Sequence, residues 1–286
     1  MSTPAPLPYG KPPRGYRLPD ATRLGRVVLQ VADLTRSIAY YEQVIGLRLL
    51  DRSGGTAALG APGQAGDAPA LVELRERPGA RSMPPLGRLG LYHFAILLPE
   101  RAALGRFIAH LGRLGAHAGM SDHLVSESVY LHDPDGLGIE VYADRPRSTW
   151  QHRGRELVMA TEPLDVEAVV AAGGGVPWTG APAGTVLGHV HLHVGSLEEA
   201  AAFYHEGIGF DERVWSYPGA LFLAAGGYHH HLGVNTWARG AVPAGPEDAR
   251  LLEWEIVVPS LEDAQVPAGG VTRDPWGVGI RWVGRT

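Results

Sequence analysis

The sequence predicts an α+β protein built from four tandem copies of one strand–helix–strands unit. The first observation is an internal repeat: residues 24–47 and 187–210 align at a constant offset of 163, and ten of the 24 aligned positions are identical. Each copy alternates apolar and polar residues like a strand, then continues as an amphipathic helix that stops at Gly46 or Gly209. A repeat of this length with matching element order indicates a duplicated module.

A weaker relation indicates two further copies, one of which is shortened. Residues 91–99 resemble residues 251–259 at an offset of 160, whereas the DPDGLGI of 133–139 matches the DPWGVGI of 274–280 at an offset of 141. The difference between the two offsets means that the last copy has lost 19 residues, including the helix predicted near 100–115 in its counterpart. We therefore predict modules one to four at about 24–77, 89–144, 185–240 and 251–286.

These modules define the expected domain boundaries. We expect an N-terminal extension over 1–23, a first module pair over 24–144, and a second module pair with a truncated last module over 185–286. Residues 145–184 form a linker with a short helix near 164–172 and a Gly- and Pro-rich exit. The extension lacks the apolar core of a signal peptide, so we expect a loose lead-in on a cytoplasmic protein.

Composition narrows the function classes. The 286 residues carry a net charge of −5 without a basic block, so nucleic acid is not an expected partner. No apolar run approaches the roughly 18 residues that a membrane span needs, and we expect no membrane association. Cysteine is absent, which excludes disulfides, thiolate metal sites and a cysteine nucleophile. Any metal must be held by Asp, Glu or the 13 histidines.

Residues 123–140 (HLVSESVYLHDPDGLGIE) predict two strands joined by a turn. Polar and apolar residues alternate over 128–132, as in a strand with two different faces, and the Asp-Pro-Asp-Gly of 133–136 is typical of a turn. The second strand carries Glu140 between apolar neighbours. A carboxylate in such a run is costly to bury unless it is paired or bound to a cation, and the alternative is a glutamate at a rim.

Histidines collect at two places in module three. His189, His191 and His193 share one face of its first strand, while the opposite, apolar face should cover the module's helix. The histidine face should then look into a cavity, with a solvated strand face as the alternative. A second cluster at 229–231 precedes the module's last strand, and an exposed turn is the alternative there.

Two histidines and one carboxylate, with open positions beside them, form the facial set typical of non-haem Fe(II) oxygenases. His93, Glu140 and His189 supply this set if modules two and three pack against each other. Arg26 takes the matching place in module one and cannot ligate, because its guanidinium stays protonated. The matching places in module four hold Glu253 and Arg281, so modules one and four are expected to be free of metal.

The module pattern and the 123–140 stretch resemble the vicinal oxygen chelate superfamily, which comprises glyoxalases, bleomycin resistance proteins and dioxygenases. Within it the chain is similar to the type I extradiol ring-cleaving dioxygenases of the catechol 2,3-dioxygenase type. Their signature runs from a His through an apolar residue and a Tyr to an Asp-Pro-x-Gly turn and a Glu, and here it is filled by His123, Val129, Tyr130, the turn at 133–136 and Glu140. One minor departure is Ser121, two residues before the His.

This resemblance covers nearly the whole chain from Leu24, and it implies both a fold and a set of residue roles. The fold would be paired βαβββ modules that form cupped sheets around a metal. His93, Glu140 and His189 would ligate Fe(II), with Mn(II) as the other candidate. His230 would be the acid/base residue, preferred over His229 and His231, while His123 and Tyr130 would hydrogen-bond the substrate. Further residues expected around the site are His191, His193, His231 and Tyr142, with Trp215, Tyr217 and Trp237 as candidate lining residues.

The implied activity is extradiol cleavage of catechol or a substituted catechol. The partners would be a small aromatic diol and dioxygen, and the product would be of the 2-hydroxymuconate-semialdehyde type. A homo-oligomer is compatible with the family. The rival interpretations are a glyoxalase-type metal-dependent isomerase or lyase, and a non-catalytic binding protein for a small molecule such as an antibiotic.

One departure from the family bears on the module pairing. Better-known members carry the metal on their last two modules in the order His, His, Glu, whereas the order here is His93, Glu140, His189. We therefore expect the metal cup to form between modules two and three. In the alternative pairing of modules one and two, Glu73 would complete a different site with His93 and Glu140.

Overall fold

The computed structural model describes residues 9–62, 70–262, 264 and 270–284. The strands follow the predicted modules. Module one contains β1 (Arg23–Val31), β2 (Arg48–Ser53), β3 (Thr56–Gly60) and β4 (Val72–Glu76), and module two contains β5 (Gly90–Leu97), β6 (Gly119–Asp122), β7 (Ser126–His132) and β8 (Gly138–Asp144). The linker forms a small hairpin of β9 (His152–Arg153) and β10 (Glu156–Leu157). Module three contains β11 (Val186–His193), β12 (Asp211–Val214), β13 (Ala220–Ala224) and β14 (Leu232–Asn235), and module four contains β15 (Arg250–Val258), β16 (Val271–Arg273) and β17 (Gly279–Gly284).

Among the described residues, three helices lie between the first and second strands of their modules, and a fourth lies in the linker. They are α1 (Leu34–Tyr40), which continues as a π-helical turn over Tyr41–Ile45, α2 (Arg101–Leu114), the linker helix α3 (Val166–Ala172), and α4 (Leu197–Ala200), which continues as a π-helix over Ala201–Ile208. A 3₁₀ turn spans Arg147–Thr149. The repeated glycines at 46 and 209 end their helices with φ of 84° and 102°, the left-handed conformation that glycine adopts most readily.

Two large sheets contain nearly all strands among the described residues. The eight-stranded sheet has the order β12-β13-β14-β11-β5-β8-β7-β6 and joins modules two and three. The seven-stranded sheet has the order β16-β17-β15-β1-β4-β3-β2 and joins modules one and four. The predicted α+β architecture with a cup formed by modules two and three is therefore confirmed. The alternative pairing of modules one and two is wrong, because β1 of module one pairs with β15 and not with β5.

The larger of two hydrophobic clusters among the described residues includes buried side chains of both sheets and of the helices. Period-2 alternation places Val27 of β1 and Val190 of β11 in this core at 0% exposure. Phe107 of α2 and Tyr204 of the π-helix that follows α4 pack into the same core. The central strands thus bury apolar residues on one side and leave their other side for the concave face of the sheet. The concave faces carry the polar residues that distinguish the two sheets.

Two tyrosine–aspartate contacts join the sheets at repeated positions. Tyr41 of module one donates its hydroxyl to Asp133 of module two over 3.3 Å, and Tyr204 of module three donates to Asp274 of module four over 2.7 Å. Each aspartate also accepts two backbone N–H groups of its own turn, as Asp133 does from Asp135 and Leu137. The Asp-Pro-x-Gly turn therefore has a structural role, since it ties one sheet to the other.

The concave face of the seven-stranded sheet is filled by ion pairs. Arg26 bridges Glu73 and Glu255 at 2.9 Å each, and Arg281 forms a two-pronged pair with Glu253 at 2.8 and 3.1 Å. Arg26, Glu253 and Arg281 occupy the places that correspond to the predicted metal ligands His189, His93 and Glu140 of the other sheet. A guanidinium thus supplies the positive charge at this place.

The segments outside the modules are packed against them. Residues 1–8 of the predicted extension lie outside the described residues, but residues 9–22 run along module three, where Lys11 pairs with Glu212 through both backbone groups and Leu18 donates to the carbonyl of Gly209. The prediction of a loose lead-in is wrong for residues 9–22, because a sequence rich in Pro and Gly can still hydrogen-bond to a strand edge. Within the described parts of the chain, no helix has the length and apolarity to cross a membrane.

The buried carboxyl group of Asp133, which accepts a hydrogen bond from Tyr41, leads to a prediction about how stability depends on pH. Burial, together with the neighbouring Asp135, raises the pKa of Asp133 to about 7 although backbone N–H groups oppose this. Between about pH 4 and pH 7 the folded protein binds a proton at Asp133 that the unfolded chain has already lost, so the free energy of unfolding falls as pH rises through this window. Asp133→Asn keeps the shape and removes the titration. Relative to wild type, we expect this variant to gain roughly 2 to 3 kcal/mol in unfolding free energy between pH 5 and pH 8.

Urea unfolding of both proteins at pH 5 and pH 8 measures this gain. Because all other titrating groups are shared, the difference between the two proteins isolates Asp133. A difference that stays constant with pH would show that Asp133 ionises normally in the folded protein.

Candidate metal centre and reactive cavity

Three of the predicted ligands meet at one point on the concave face of the eight-stranded sheet. Oε2 of Glu140 lies 2.9 Å from Nε2 of His93 and 3.0 Å from Nε2 of His189, and the two imidazole nitrogens are 3.3 Å apart. All three residues are buried, with 5% exposure for His93, 1% for His189 and 2% for Glu140. In the part of the chain that the structure describes, this is the group of three His, Asp or Glu side chains that could hold a metal ion.

Strand register brings these residues together. β5 lies between β11 and β8, and Ala95 of β5 pairs with His189 on one side and with Glu140 on the other. His93 and Ala95 are two residues apart and share a face, so the small side chain of Ala95 leaves room for the three donors beside it. At the corresponding place in module four, Glu255 fills this space and binds Arg26.

The donor set fits a divalent metal ion. Ligand atoms about 2.1 Å from an octahedral ion lie about 3.0 Å from each other when they share a face, which agrees with the three distances between these donors. Burial lowers the pKa of both His93 and His189, so the imidazoles favour the neutral form that ligates metals. Glu140 would then be a buried carboxylate next to two neutral rings, an arrangement that a cation stabilises.

Next to this centre lies a cavity of about 200 Å³, which we call the reactive cavity. His93 and Glu140 form its floor, and its aromatic walls are Tyr92, Tyr217, Phe222 and Trp237. The linker contributes Met159, Ala160 and Thr161 to one side, and the hydroxyl groups of Thr161 and Tyr217 hydrogen-bond over 2.8 Å. Polar side chains enter the cavity from three places: His123 with Tyr130, His191, and His230.

His123 and Tyr130 form a hydrogen-bonded pair in this cavity. Nδ1 of His123 lies 2.7 Å from the carbonyl oxygen of Ala160, so it must carry the proton, and Nε2 is left to accept from the Tyr130 hydroxyl at 2.6 Å. Burial and the neighbouring Glu140 raise the pKa of Tyr130 well above its ordinary value, which keeps the phenol protonated. The linker thus holds the ring of His123 in place and sets its tautomer.

The three consecutive histidines of module three point to different places. His230 lines the reactive cavity, and its ring centroid lies 4.1 Å from that of His189. The ring of His229 is fully buried beside Asp144, and Nδ1 of His231 faces away to accept the backbone N–H of Ala225. The tight turn before them contains Gly226 and Gly227, both with positive φ, which lets the chain reverse directly ahead of the cluster.

The other sequence-predicted residues are divided between the cavity and its surroundings. His191 lines the cavity, whereas His193 binds Asn235 outside it. Tyr142 does not line the cavity, since its ring packs against His189 and its hydroxyl bonds to Tyr228. Of the candidate lining residues, Tyr217 and Trp237 do line the cavity. Trp215 does not, because it lies beneath the ammonium of Lys11.

Several residues of the site were not predicted from the sequence. The linker residues 159–161 and Tyr92 line the cavity, and Asp144 hydrogen-bonds His229 at its back. A signal existed for Tyr92, which precedes a predicted ligand in a strand. No sequence pattern marks the linker residues, because their position depends on the backbone pairing of Asp122 with Glu162, 40 residues apart.

Sequence comparisons match this chain to one protein superfamily and to a curated relative. The sequence profile of the Glyoxalase/Bleomycin resistance protein/Dioxygenase superfamily matches residues 23–141. The chain is 45% identical over 255 residues to the catechol-2,3-dioxygenase of Bacillus subtilis (strain 168), covering 87% of each protein.

Solved structures share the fold at low sequence identity. A proposed dioxygenase from Bacillus subtilis superposes with a TM-score of 0.62 at 13% identity, covering 93% of this chain and 86% of the other. Glyoxalase I from Zea mays gives a TM-score of 0.53 at 19% identity, covering 92% of each chain. At these identities the structural similarity supports the fold alone. The sequence comparisons carry the assignment: the chain belongs to the glyoxalase/bleomycin resistance protein/dioxygenase superfamily.

Proposed function

We propose that this protein is an Fe(II)-dependent extradiol dioxygenase that cleaves catechol or a substituted catechol with dioxygen to a 2-hydroxymuconate-semialdehyde-type product. The observation that carries the proposal is the donor set of His93, Glu140 and His189, two members of which, His93 and Glu140, line a cavity that is also lined by His230, His123 and Tyr130. The catechol-2,3-dioxygenase relative at 45% identity supports the same reaction.

The two histidines and the carboxylate would hold the metal and leave its remaining positions facing the cavity. This set is the one expected for non-haem Fe(II), with Mn(II) as the other candidate. When bound, the metal would supply a common template for the diol and dioxygen and a route for electron density between them. The remaining work of binding, orienting and proton transfer would fall to the side chains of the cavity.

The cavity suits one aromatic ring. An apolar cavity of roughly 150 Å³ can hold benzene, so about 200 Å³ accommodates a single ring with two hydroxyl groups. Phe222, Trp237 and Tyr217 would contact the ring, since aromatic side chains pack edge to face and face to face with other aromatic groups. The diol oxygens would point at the donor set, where the polar residues are concentrated.

His230 would take a proton from a substrate hydroxyl. Burial, together with the nearby His189, lowers the pKa of His230 well below the ordinary value, so the imidazole is neutral at neutral pH and one of its ring nitrogens has a free lone pair. It lies directly beside a metal ligand, where the substrate hydroxyl would arrive. Once protonated, the same ring could return the proton to an oxygen that leaves later in the reaction.

Tyr130 and His123 would bind the oxygen atoms of the substrate from the opposite side. The phenol of Tyr130 remains a donor because its pKa is raised. His123 accepts from this phenol through Nε2, while the proton on its Nδ1 is donated to the carbonyl of Ala160. A hydroxyl that can turn from His123 to a substrate oxygen would stabilise negative charge on that oxygen. These two residues would therefore stabilise the negative charge that forms on the substrate oxygen when His230 removes its proton.

The reaction itself is the first test. After anaerobic reconstitution with Fe(II), addition of catechol and oxygen should yield a yellow ring-opened product and consume one dioxygen per ring. Colourless product, or no oxygen uptake with either Fe(II) or Mn(II), would contradict ring cleavage. Conversion of a hemithioacetal instead would favour the glyoxalase-type isomerase, and tight catechol binding without turnover would favour a binding protein.

Removing a donor tests the metal centre. We expect Glu140→Ala and His93→Ala to lose metal retention and activity together, because two remaining ligands cannot hold a ferrous ion through gel filtration. The matched control is Arg26→Ala, which removes the charge from the corresponding place in the seven-stranded sheet. Elemental analysis should find wild-type metal content in the control. Full occupancy in the Glu140 variant, or loss of metal in the Arg26 variant, would place the metal elsewhere.

Replacing the proposed base separates proton transfer from metal binding. His230→Phe should keep the metal, since His230 is not among the three donors, yet lose roughly 10²- to 10⁴-fold in kcat, the usual contribution of a general base. Steady-state oxygen uptake and metal analysis on the same sample measure both quantities. An unchanged kcat with full metal content would assign the proton transfer to another group of the cavity.

A further inference from the structure

Behind the reactive cavity, a chain of hydrogen bonds leads from His230 to a carboxylate. Nδ1 of His230 lies 2.7 Å from Nδ1 of His229, and Nε2 of His229 lies 2.9 Å from Oδ1 of Asp144. The His229 ring is 0% exposed, whereas the Asp144 side chain is 29% exposed at the end of β8. Asp144 and the ligand Glu140 are thus on the same strand, four residues apart.

The directions of these hydrogen bonds follow from the chemistry of the groups. A carboxylate oxygen only accepts, so Nε2 of His229 must donate to Asp144. When this is the only proton on the His229 ring, its Nδ1 is bare and can only accept, so Nδ1 of His230 supplies the proton between the two rings. His230 is left with an unprotonated Nε2 on the far side of its ring, and this is the nitrogen available to the cavity.

We propose that His229 and Asp144 are positioning residues that hold His230 in the tautomer and orientation of a base. The inference rests on the proposed role of His230 in the dioxygenase reaction and deepens it. Without this chain, the His230 ring could carry its proton on Nε2 and would present a donor to the substrate hydroxyl. A base that is oriented by a second group, which is itself held by a carboxylate, is a recurrent arrangement for proton-transferring histidines.

The residues around His229 and Asp144 hold both side chains rigidly. Oδ1 of Asp144 also accepts from the hydroxyl of Tyr228 at 3.1 Å, and that hydroxyl bonds to the hydroxyl of Tyr142 at 2.7 Å. The rings of Tyr228 and Trp150 lie against His229, with centroids 4.0 and 5.5 Å away. His229 therefore has little freedom to turn, and its donor and acceptor stay aligned with Asp144 and His230.

Tautomers can be read without any turnover. In metal-free protein labelled with ¹⁵N-histidine, long-range ¹H–¹⁵N correlations distinguish a protonated ring nitrogen from a bare one. We expect protonated Nδ1 and bare Nε2 for His230, with the reverse pattern for His229; assignment uses His229→Phe and His230→Phe. A protonated Nε2 on His230 in the wild-type protein would overturn the proposal whether or not the protein cleaves catechol.

The kinetic test compares two replacements of His229 with a matched control. His229→Phe removes the acceptor for His230, and we expect kcat to fall at least about tenfold while KM for catechol and metal content stay within twofold of wild type. His229→Gln keeps one donor and one acceptor and should recover a large part of the lost kcat. The control is His205→Phe, another buried histidine, which bonds to the carbonyl of Phe210 in module three.

The outcomes separate this proposal from the proposed function. If wild type cleaves catechol and His229→Phe has wild-type kcat, the positioning role is wrong while the dioxygenase assignment stands. If His229→Phe and His229→Gln lose the same activity as His205→Phe, the effect is one of general packing and the proposal fails. If wild type cleaves no ring with Fe(II), the proposed function fails, and the tautomer measurement alone decides on the geometry.

Discussion

The antiparallel pairing of β5 with β11 is the constraint on which the rest of the site depends. This pairing joins modules two and three in the centre of one sheet, and it places Ala95 between His189 and Glu140. Because side chains on a strand alternate, a shift of one residue would turn either His93 or His189 into the hydrophobic core. The buried valines and leucines of β11 oppose such a shift, so the packing of the core also fixes the distances between the three candidate donors.

The two sheets show how one architecture can support either an ion or an ion-pair network. In the eight-stranded sheet, the small Ala95 leaves space that a metal could occupy among imidazole and carboxylate donors. In the seven-stranded sheet, Glu255 stands at the place of Ala95 and Arg26 at the place of His189, so the centre is filled by a guanidinium between carboxylates. A buried carboxylate needs a positive partner in both sheets. In the seven-stranded sheet this partner is an arginine side chain, and in the eight-stranded sheet it would be a bound metal ion.

The sequence predicted the module order and the approach of His93, Glu140 and His189 to one another, because both depend on regular periods. The offset of 163 between the repeats and the period of two along β11 apply to elements whose geometry is regular. The directions in which the side chains of His229, His230 and His231 point could not be derived in this way. These residues follow a turn of two glycines with positive φ, where no regular alternation of side chains applies. The linker wall at 159–161 and the role of Asp144 depend on contacts between distant segments, which no local pattern records.

Several histidines lie close together around the candidate metal centre, and their protons must be arranged so that the rings do not repel each other. Burial lowers the pKa of His191 as well as those of the two ligand histidines and His230, so these rings lie close together without mutual repulsion. Neutral rings, however, can each take either tautomer, and burial does not choose between them. A carboxylate at the edge of the cluster does, because Asp144 accepts from one ring and thereby sets the proton on the next. Glu140 would anchor the metal and Asp144 would order the protons, and both lie on β8, so a single strand would align the two functions of the site.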